Sequence, residues 1–379
     1  MTLPSALPDL LAGLRQRVAG DVRDDRYSRI FYSTDASLYE VEPLAVLIPR
    51  SIEDVQAAVE LCSRYGIPVL ARTAGTSLAG QAVNRALIID LTCHLDEVIE
   101  LDVEARRARV QPGITLDTLN RQLRAHGLQF GPDPASGDRA AMGGIVGNNA
   151  TGAHSILYGM TGDHVAAMNV VLSDGSSTRF TALEPDAVEQ KRRLAGLEGE
   201  IYRRLSALVS DPANRDIIRA GTPRHWRRRG GYGLDRFVGG DLSFKLPPDP
   251  RFNLARLVCG AEGTLAVMTE VTLDLVATPQ RTALALVHFD DLHTALSAVP
   301  VILRADVSAV ELLDRLAMTL CRDVPTYARL LKTFAEGDPN CILIVEFHSS
   351  NEPELGAKID RLETLLRQER CGAIATVQA

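Results

Sequence analysis

The feature that most constrains this chain is a glycine-rich stretch, GPDPASGDRAAMGGIVGNNATGAHSILYGMTGD, which runs from Gly131 to Asp163. It holds 8 of the 29 glycines in 33 residues, about three times the average density of the chain. Glycine lacks Cβ, so the stretch is poor material for a helix or strand that must support itself. Its composition instead suits a backbone that lies close against a flat or polyanionic ligand.

A second loop of the same character, RTAGTSLAGQ, precedes this stretch and runs from Arg72 to Gln81. Two such loops predict a large ligand with a long diphosphate group, bound at more than one point. The glycine-rich stretch has only Asp133, Asp138 and Asp163 as acidic residues, so it would repel phosphates little. The alternative is that both are mobile surface loops without a ligand, since connecting loops generally lie at the surface and are mobile.

The elements before the second loop indicate how it is presented. An apolar strand at 44–48 precedes a helix at 52–65, which Ser51 can cap and Gly66 can end. A second apolar strand follows at 67–70, so the pattern is a βαβ unit with the loop at a strand's carboxyl end. The loop matches neither the GxGxxG dinucleotide motif nor a GK[ST] phosphate loop, so another architecture must present it.

The rest of the chain predicts two domains. Further strands are expected at 86–91, 96–101 and 107–111, a helix at 115–126, a hairpin at 165–180 around Asp174-Gly175, a helical insertion at about 184–252, and β structure at 254–276. After Pro279 the order is strand 282–289, helix 292–303, strand 307–312, strand 341–347, helix 352–367 and strand 373–377. This βαββαβ order predicts a ferredoxin-like unit. The expected domains are therefore 1–278 and 279–379, the second being truncated.

The net charge and the spacing of the cysteines exclude some classes of ligand and binding partner. The net charge of −7 disfavours nucleic acid. The six cysteines form no CxxC pair, so neither a zinc nor an iron–sulfur site is expected in this chain, and we expect reduced thiols. No basic leader and no apolar run of about 20 residues is present, which favours a cytoplasmic protein without a membrane span.

The motifs, taken in order, resemble FAD-binding oxidoreductases of the vanillyl-alcohol-oxidase (PCMH-type) superfamily, and in particular the flavin part of D-lactate, glycolate and D-2-hydroxyglutarate dehydrogenases. The motifs that match are RTAGTSLAGQ (72–81), VQPGITLDTLN (110–120), GPDPAS (131–136), MGGIVGNNATGAHSILYG (142–159), GGYGLD (230–235) and CGAEGTLAVMTEVTL (259–273). The match covers nearly the whole chain. It implies an α+β fold, in which a two-lobed FAD-binding domain is followed by an incomplete ferredoxin-like cap domain.

The resemblance implies that FAD lies between the two lobes. The backbone N–H groups of the first loop would bind the diphosphate, and the glycines at 143–144 would allow close approach at a helix start. No histidine stands in the first loop, where covalently flavinylated members commonly use one, so we expect non-covalent FAD. The residues expected to bind the cofactor are Thr73, Ala74, Gly75, Thr76, Ser77, Leu78, Pro132, Asp133, Ser136, Gly143, Gly144, Asn148, Ala150, Gly152, Ser155, Tyr158, Glu262, Gly263 and Val267.

The implied reaction is oxidation of a D-2-hydroxy acid to a 2-oxo acid, with hydride transfer to flavin N5. In this family the clamp arginine, the paired metal-binding histidines and the acid/base histidine lie beyond the point where this chain ends. We therefore expect no metal site here, and the weak catalytic candidates are Arg229, Tyr232 and His154. A solvated basic run is the alternative for Arg229, and a structural hydrogen-bond donor is the alternative for His154.

Two classes of function remain open from the sequence. In the first, the chain is the flavin part of a longer dehydrogenase whose electrons pass to an iron–sulfur module or subunit, with peripheral attachment at the inner membrane as an option. In the second, it is an FAD-carrying electron-transfer subunit, or an inactive FAD-binding fragment, that needs a partner for its substrate site. A flavin reductase of cell-wall precursor synthesis is a third reading, which GPDPAS and GGYGLD disfavour.

Overall fold

The computed structural model describes residues 4–227, 231–238, 251–335 and 337–378. The chain divides into two units: the first contains Met1–Thr151 and Gly159–Val276, and the second contains Gly152–Tyr158 and Ala277–Ala379. The short segment Gly152–Tyr158 therefore belongs with the C-terminal part of the chain although the glycine-rich stretch contains it. Each unit has its own hydrophobic core.

The strands are β1 (Asp21–Arg23), β2 (Ala45–Ile48), β3 (Val69–Arg72), β4 (Leu87–Asp90), β5 (Val98–Asp102), β6 (Arg107–Val110), β7 (Leu128–Gln129), β8 (Val165–Val171), β9 (Ser177–Thr181), β10 (Val267–Asp274), β11 (Val276–Ala277), β12 (Arg281–Phe289), β13 (Ala309–Asp314), β14 (Cys341–Ser349) and β15 (Ala373–Gln378).

The α-helices are α1 (Leu7–Arg17), α2 (Arg26–Phe31), α3 (Ile52–Tyr65), α4 (Leu116–Leu123), α5 (Met142–Gly147), α6 (Ser155–Tyr158), α7 (Pro185–Arg192), α8 (Gly196–Ser210), α9 (Pro212–Gly221), α10 (Ala255–Val258), α11 (Leu292–Ile302), α12 (Arg315–Arg322), α13 (Pro325–Leu331) and α14 (Glu352–Glu369). Short 3-10 helices lie at Arg124–His126, Thr161–Asp163, Leu234–Phe237 and Leu303–Ala305. No helix among the described residues is long and apolar enough to cross a membrane.

The first lobe of unit one is a four-stranded sheet in the order β1-β2-β4-β3. Strands β2, β4 and β3 are parallel, and β2 and β4 are buried along their whole length, as expected for strands covered on both faces. Helix α3 has the predicted caps, Ser51 at its start and Gly66 in the left-handed conformation at its end. The βαβ unit is correct, but β4 inserts between its two strands.

The second lobe is a five-stranded antiparallel sheet in the order β5-β6-β10-β8-β9. The predicted hairpin is its β8–β9 pair, in which Gly175 has φ of +87°. Val171 and Val267 from this sheet extend into the core of the first lobe. The two lobes therefore pack on one another within the first unit.

Helices α7, α8 and α9 follow the hairpin, within the part of the chain where a helical insertion was predicted. The α8 side chains Tyr202, Leu205 and Val209 are buried in the core of the second lobe. The end of the predicted insertion, at 239–250, lies outside the described residues.

The second unit has the predicted βαββαβ order, with an antiparallel sheet β13-β14-β12-β15. Helices α11 and α14 cover one face through Ala298, Ile302, Leu362 and Leu366. The connection between β13 and β14, to which the sequence analysis assigned no element, contains α12 and α13. Their buried residues Met318 and Leu331 pack on the opposite face of the sheet with Ile342.

The glycine-rich stretch contains the short helices α5 and α6, and α5 begins where the resemblance implies a helix start, although the glycine content disfavours a helix. Tertiary packing explains α5: Met142, Ile145 and Val146 are buried in the core of the second lobe. A helix that glycine disfavours locally can form when its apolar face is buried.

Candidate functional site

A cavity of about 440 Å³ lies in the first unit, in the size range of small-molecule and cofactor sites. Three segments form most of its walls, namely the loop after β3, the segment that leads into and contains α5, and the turn before β10, and Leu91 and Pro112 add to them. The turn is joined to α5 by backbone hydrogen bonds, since Gly260 N donates to Val146 O and Glu262 N donates to Gly147 O, both at 3.0 Å. Most of the cavity wall thus comes from three separate parts of the sequence.

The loop after β3 presents uncommitted backbone donors to this cavity. In the described part of the chain, none of the amide N–H groups from Thr73 to Leu78 donates a hydrogen bond to another protein atom. Gly75 has φ of +69°, a left-handed backbone conformation that is unfavourable for residues with a Cβ atom. Successive N–H groups in such a turn form a concave site that binds anions.

The Arg72 side chain connects the start of this loop to its end and to a neighbouring segment of backbone. Its guanidinium donates to the carbonyl oxygens of Tyr32 at 3.1 Å, Thr34 at 2.9 Å and Ala82 at 2.9 Å. Burial lowers the pKa of Arg72 from its ordinary value, and the nearby carboxylates of Asp90 and Asp35 oppose that shift. We regard Arg72 as a positioning residue, because its donors are committed to protein carbonyls.

At the start of α5, the absence of side chains on two glycines matters more for the cavity than the backbone N–H groups do. Met142 N donates to Ile114 O at 2.9 Å and Gly143 N donates to Pro112 O at 2.8 Å, so two first-turn donors are used within the protein. A Cβ on Gly143 would lie 2.8 Å from Pro112 Cβ, and one on Gly144 would lie 3.0 Å from Thr73 Oγ1. The two glycines let α5 pack closely against the loop after β3.

Two side-chain contacts join the cavity walls. Asn148 Nδ2 donates to Ser77 Oγ at 3.2 Å, and Gln81 Nε2 donates to Glu262 Oε1 at 3.3 Å. Glu262 has φ of +53°, which is uncommon for a residue other than glycine and often marks a functional turn.

Most of the residues expected to bind the cofactor line this cavity, namely Thr73, Gly75, Thr76, Ser77, Leu78, Ser136, Gly143, Gly144, Asn148, Ala150, Glu262 and Gly263. The others do not line it: Ala74, Pro132, Asp133, Gly152, Ser155, Tyr158 and Val267. Of these, Val267 is buried in the core of the first lobe, and Gly152, Ser155 and Tyr158 belong to the second unit.

Several lining residues were missed by sequence reasoning, among them Arg72, Gln81, Pro112, Pro134 and Met268. Arg72 and Gln81 are the first and last residues of the loop motif RTAGTSLAGQ, so the motif itself contained them. Pro112, Pro134 and Met268 also stand inside quoted motifs, but their contact with the cavity depends on how distant segments pack.

The weak catalytic candidates fall in three different places. Arg229 lies outside the described residues. Tyr232 is in the first unit, where its hydroxyl lies 3.0 Å from Thr264 Oγ1, next to the turn that contains Glu262 and Gly263. His154 is in the second unit, where it meets two side chains that sequence reasoning did not select, Glu346 and His348.

These three side chains form a compact cluster. Glu346 Oε1 lies 2.8 Å from His348 Nε2 and 3.2 Å from His154 Nε2, and the imidazole rings stack with centroids 4.6 Å apart. Burial raises the pKa of Glu346, but the two imidazoles beside it outweigh that effect and bring the pKa to about 2. The Glu346 carboxylate is therefore charged at neutral pH.

The cavity fits a dinucleotide cofactor with a diphosphate. Its loop offers a series of N–H groups that have no acceptor within the described ranges, its glycine positions leave room for close approach, and its walls are otherwise mainly apolar. These are properties of the chain's own residues, and they match what a flavin dinucleotide requires.

Comparison with known proteins identifies both parts of the chain. Residues 43–181 match the family described as the FAD binding domain, and residues 278–379 match the C-terminal domain of FAD linked oxidases. The D-2-hydroxyglutarate dehydrogenase of Pantoea ananatis is 30% identical over 369 residues, covering 95% of this chain and 35% of that protein. The Escherichia coli enzyme of the same name is 29% identical over 370 residues, covering 95% of this chain and 36% of that protein.

A shorter relative is the glycolate oxidase subunit GlcD of Bacillus subtilis, 26% identical over 361 residues, covering 94% of this chain and 62% of that protein. The chain thus spans about a third of the length of the D-2-hydroxyglutarate dehydrogenases that it matches.

Solved structures show the same fold. An alkyldihydroxyacetonephosphate synthase matches with a TM-score of 0.67 and 18% identity, covering 100% of this chain and 63% of the other. The p-cresol methylhydroxylase with substrate bound matches with a TM-score of 0.64 and 15% identity, covering 100% of this chain and 66% of the other. Residues 43–181 thus belong to the FAD binding domain family and residues 278–379 to the C-terminal domain of the FAD linked oxidases, and the solved structures share the fold that results.

Proposed function

We propose that this chain forms the flavin-binding part of a dehydrogenase that oxidises a D-2-hydroxy acid to a 2-oxo acid. The observation that supports it best is the cavity beside Thr73–Leu78, whose backbone donors find no acceptor among the described residues. The relatives named D-2-hydroxyglutarate dehydrogenase, about 30% identical over 95% of this chain, suggest the substrate class.

In this proposal the first loop holds the FAD diphosphate through its N–H groups, and Arg72 keeps the loop in shape. Gly143 and Gly144 keep α5 close to the loop, and Glu262 and Gly263 form the turn at the adenine end. Pro132 and Asp133 next to this wall, and the buried Val267 behind it, stay part of the proposed set. Bound non-covalently, FAD would accept the hydride equivalent from the substrate.

The substrate side of the proposal rests on fewer residues. Tyr232 is held beside Thr264 and can present its hydroxyl near the turn at Glu262. A carboxylate substrate needs a cationic clamp, preferably a bidentate arginine. Since the matched dehydrogenases are about three times as long as this chain, we propose that other residues of a complete enzyme supply the clamp and the iron–sulfur electron acceptor. A cytoplasmic location belongs to the same proposal.

The alternative is an FAD-carrying electron-transfer subunit, or an FAD-binding fragment, that receives its substrate site from a partner. The name of the Bacillus subtilis relative, a glycolate oxidase subunit, favours this reading. The two proposals agree on the flavin cavity and differ on whether this chain by itself reacts with a hydroxy acid.

The visible absorption of the purified chain separates them. The chain would be loaded with FAD, freed of excess cofactor, and mixed anaerobically with D-2-hydroxyglutarate or D-lactate, with the L-enantiomers as matched controls. Bleaching of the flavin band by a D-acid alone would support the dehydrogenase proposal for this chain. A stable flavin band with every acid would support the partner-dependent alternative, and folded protein that takes up no FAD would contradict both.

A further inference from the structure

The cluster of His154, Glu346 and His348 lies wholly within the second unit and is separate from the residues that line the flavin cavity. Glu346 and His348 stand two residues apart on β14, so their side chains leave the same face of the strand. His154 comes from the segment just before α6, which belongs to the same unit and contacts β13 beside β14. The fold thus brings a residue of the glycine-rich stretch to a strand almost two hundred residues later in the chain.

The geometry of the cluster is that of a site for one ion. One donor atom from each residue lies within 4.8 Å of the other two. Two ligand atoms at usual zinc distances around a tetrahedral ion are about 3.3 Å apart. The separations of Glu346 Oε1 from the two histidine nitrogens, 2.8 and 3.2 Å, are already close to that value. Small side-chain adjustments would therefore admit an ion.

The environment favours a bound ion over a loose surface contact. The side chains of His154, Glu346 and His348 are only 18%, 21% and 10% exposed. Partial burial reduces the competition from water and holds the side chains in place. Two imidazole nitrogens and a carboxylate oxygen are donors that borderline first-row ions such as Zn²⁺ prefer over Mg²⁺ or Ca²⁺.

We propose that His154, Glu346 and His348 form a binding site for one divalent first-row transition metal ion, with Zn²⁺ as the ion that the donor set suits best. Three protein ligands leave at least one coordination position open to water or to another ligand. The ion would link the segment Gly152–Tyr158 to β14 and so brace the second unit. These residues are not the paired histidines that the family resemblance places beyond Ala379.

The competing explanation is a trio held by hydrogen bonds, with Glu346 accepting from one or both imidazoles. That explanation predicts no stoichiometric metal binding and only a small response to changes in metal concentration. The two explanations are therefore separated by a direct binding measurement that needs neither flavin nor turnover.

The test uses the whole chain, freed of metal with a chelator and then desalted. Zn²⁺ binding would be measured by calorimetry, and the bound metal by mass spectrometry. Co²⁺ would serve as a spectroscopic probe, because its visible absorption reports nitrogen and oxygen coordination. We expect one ion per chain, and affinity about 100-fold or more weaker in Glu346→Gln and in His348→Ala, since even outer partners of a metal site change affinity by about 10- to 100-fold.

The matched control is His293→Ala, which removes an exposed histidine of α11 in the same unit and should bind Zn²⁺ like the natural chain. If His348→Ala loses its near-ultraviolet circular dichroism, Glu346→Gln decides the question, since it conserves side-chain volume. Absence of stoichiometric Zn²⁺ binding, or equal affinity in the natural chain and Glu346→Gln, would overturn the proposal. Loss confined to the cluster variants would establish the site, whether or not the chain also retains FAD.

Discussion

At the scale of single residues, this chain uses the absence of side chains as much as their presence. Gly75 adopts a backbone conformation that other residues resist, and Gly144 leaves only 3.0 Å between a would-be Cβ and Thr73 Oγ1. Arg72 then fixes the loop by donating to three carbonyl oxygens. Backbone N–H groups thus form the proposed anion-binding surface, and side chains such as Arg72 hold that backbone in its conformation.

The substitution Gly144→Asp should therefore abolish FAD retention. The new carboxylate would crowd Thr73 and repel the diphosphate at the same time. The flavin-to-protein absorbance ratio after desalting checks this, and Gly356→Asp, at a helical glycine of α14 with open space around it, is the control. Equal flavin content in both variants would rule out the proposed diphosphate site.

Tyr202 gives a second prediction at this scale. It is fully buried between Phe180 and Phe252, and its hydroxyl has no hydrogen-bond partner among the described residues. Burial, with a smaller effect of Glu198, raises the pKa of Tyr202 well above its usual range. The folded state therefore keeps this proton at a pH where the unfolded phenol, with a pKa near 10, loses it.

We expect Tyr202→Phe to be neutral or stabilising at pH 7, by up to about 1 kcal/mol, because it removes an unsatisfied buried group. Its advantage should grow above about pH 10, since the natural chain loses stability there as the unfolded phenol ionises. Urea unfolding at pH 7 and pH 10.5 measures both effects, with the exposed Tyr327→Phe as control. Marked destabilisation of Tyr202→Phe at pH 7 would contradict the assigned lack of a partner.

At the scale of elements, a buried ion pair joins two short 3-10 helices to each other. Arg236 Nη2, from Leu234–Phe237, lies 2.6 Å from Asp163 Oδ1, which ends Thr161–Asp163. Their side chains are only 12% and 3% exposed. This contact anchors the segment that contains Tyr232 to the end of the glycine-rich stretch.

Removing one partner of this pair should cost about 3 kcal/mol or more, because the other charge stays buried. We expect that loss of unfolding free energy in Arg236→Met, and partial recovery when Asp163→Asn is added. Urea unfolding of both variants measures the coupling. The exposed pair Arg367–Glu363 supplies the control, since Arg367→Met should change stability by less than about 0.5 kcal/mol. A similar small change in Arg236→Met would contradict the structural role of the pair.

At the scale of the whole molecule, the two candidate sites belong to different units. The flavin cavity is lined by residues of the first unit, and the histidine–glutamate cluster is formed by residues of the second. A ligand at one site should therefore leave a distinct signature along the chain.

Hydrogen exchange read by mass spectrometry provides that signature. FAD should slow exchange at the Thr73–Leu78 amides, whose N–H groups donate to no protein atom that the structure describes, and should stabilise the chain by about 2.7 kcal/mol at 100 times its Kd. ADP, which has the diphosphate but no flavin ring, is the matched ligand control and should protect the same loop. Unchanged exchange at this loop in FAD-loaded protein would contradict its assignment.

Much of the local structure could be predicted because its signals are local. Ser51 and Gly66 bound α3, Asp174-Gly175 forms the turn of the hairpin, and alternating apolar residues give the strands of the βαββαβ unit. The helices α12 and α13 were missed although local signals exist, since Asp314 caps the start of α12 and Pro325 stands in the first turn of α13. The glycine composition disfavoured α5, and only the resemblance implied its start, because the burial of Met142 and Ile145 that supports it comes from distant residues.

The amino-acid sequence alone predicts the class of fold, the flavin loop motif and twelve of the residues that line the cavity, because glycine spacing and capping residues act through the backbone next to them. Tertiary structure alone decided that β4 lies between β2 and β3, and that Arg72 turns inward under its loop. It also brought His154 to Glu346 and His348, residues separated by almost two hundred positions. Such contacts depend on how strands are ordered and packed, and no local pattern encodes that order.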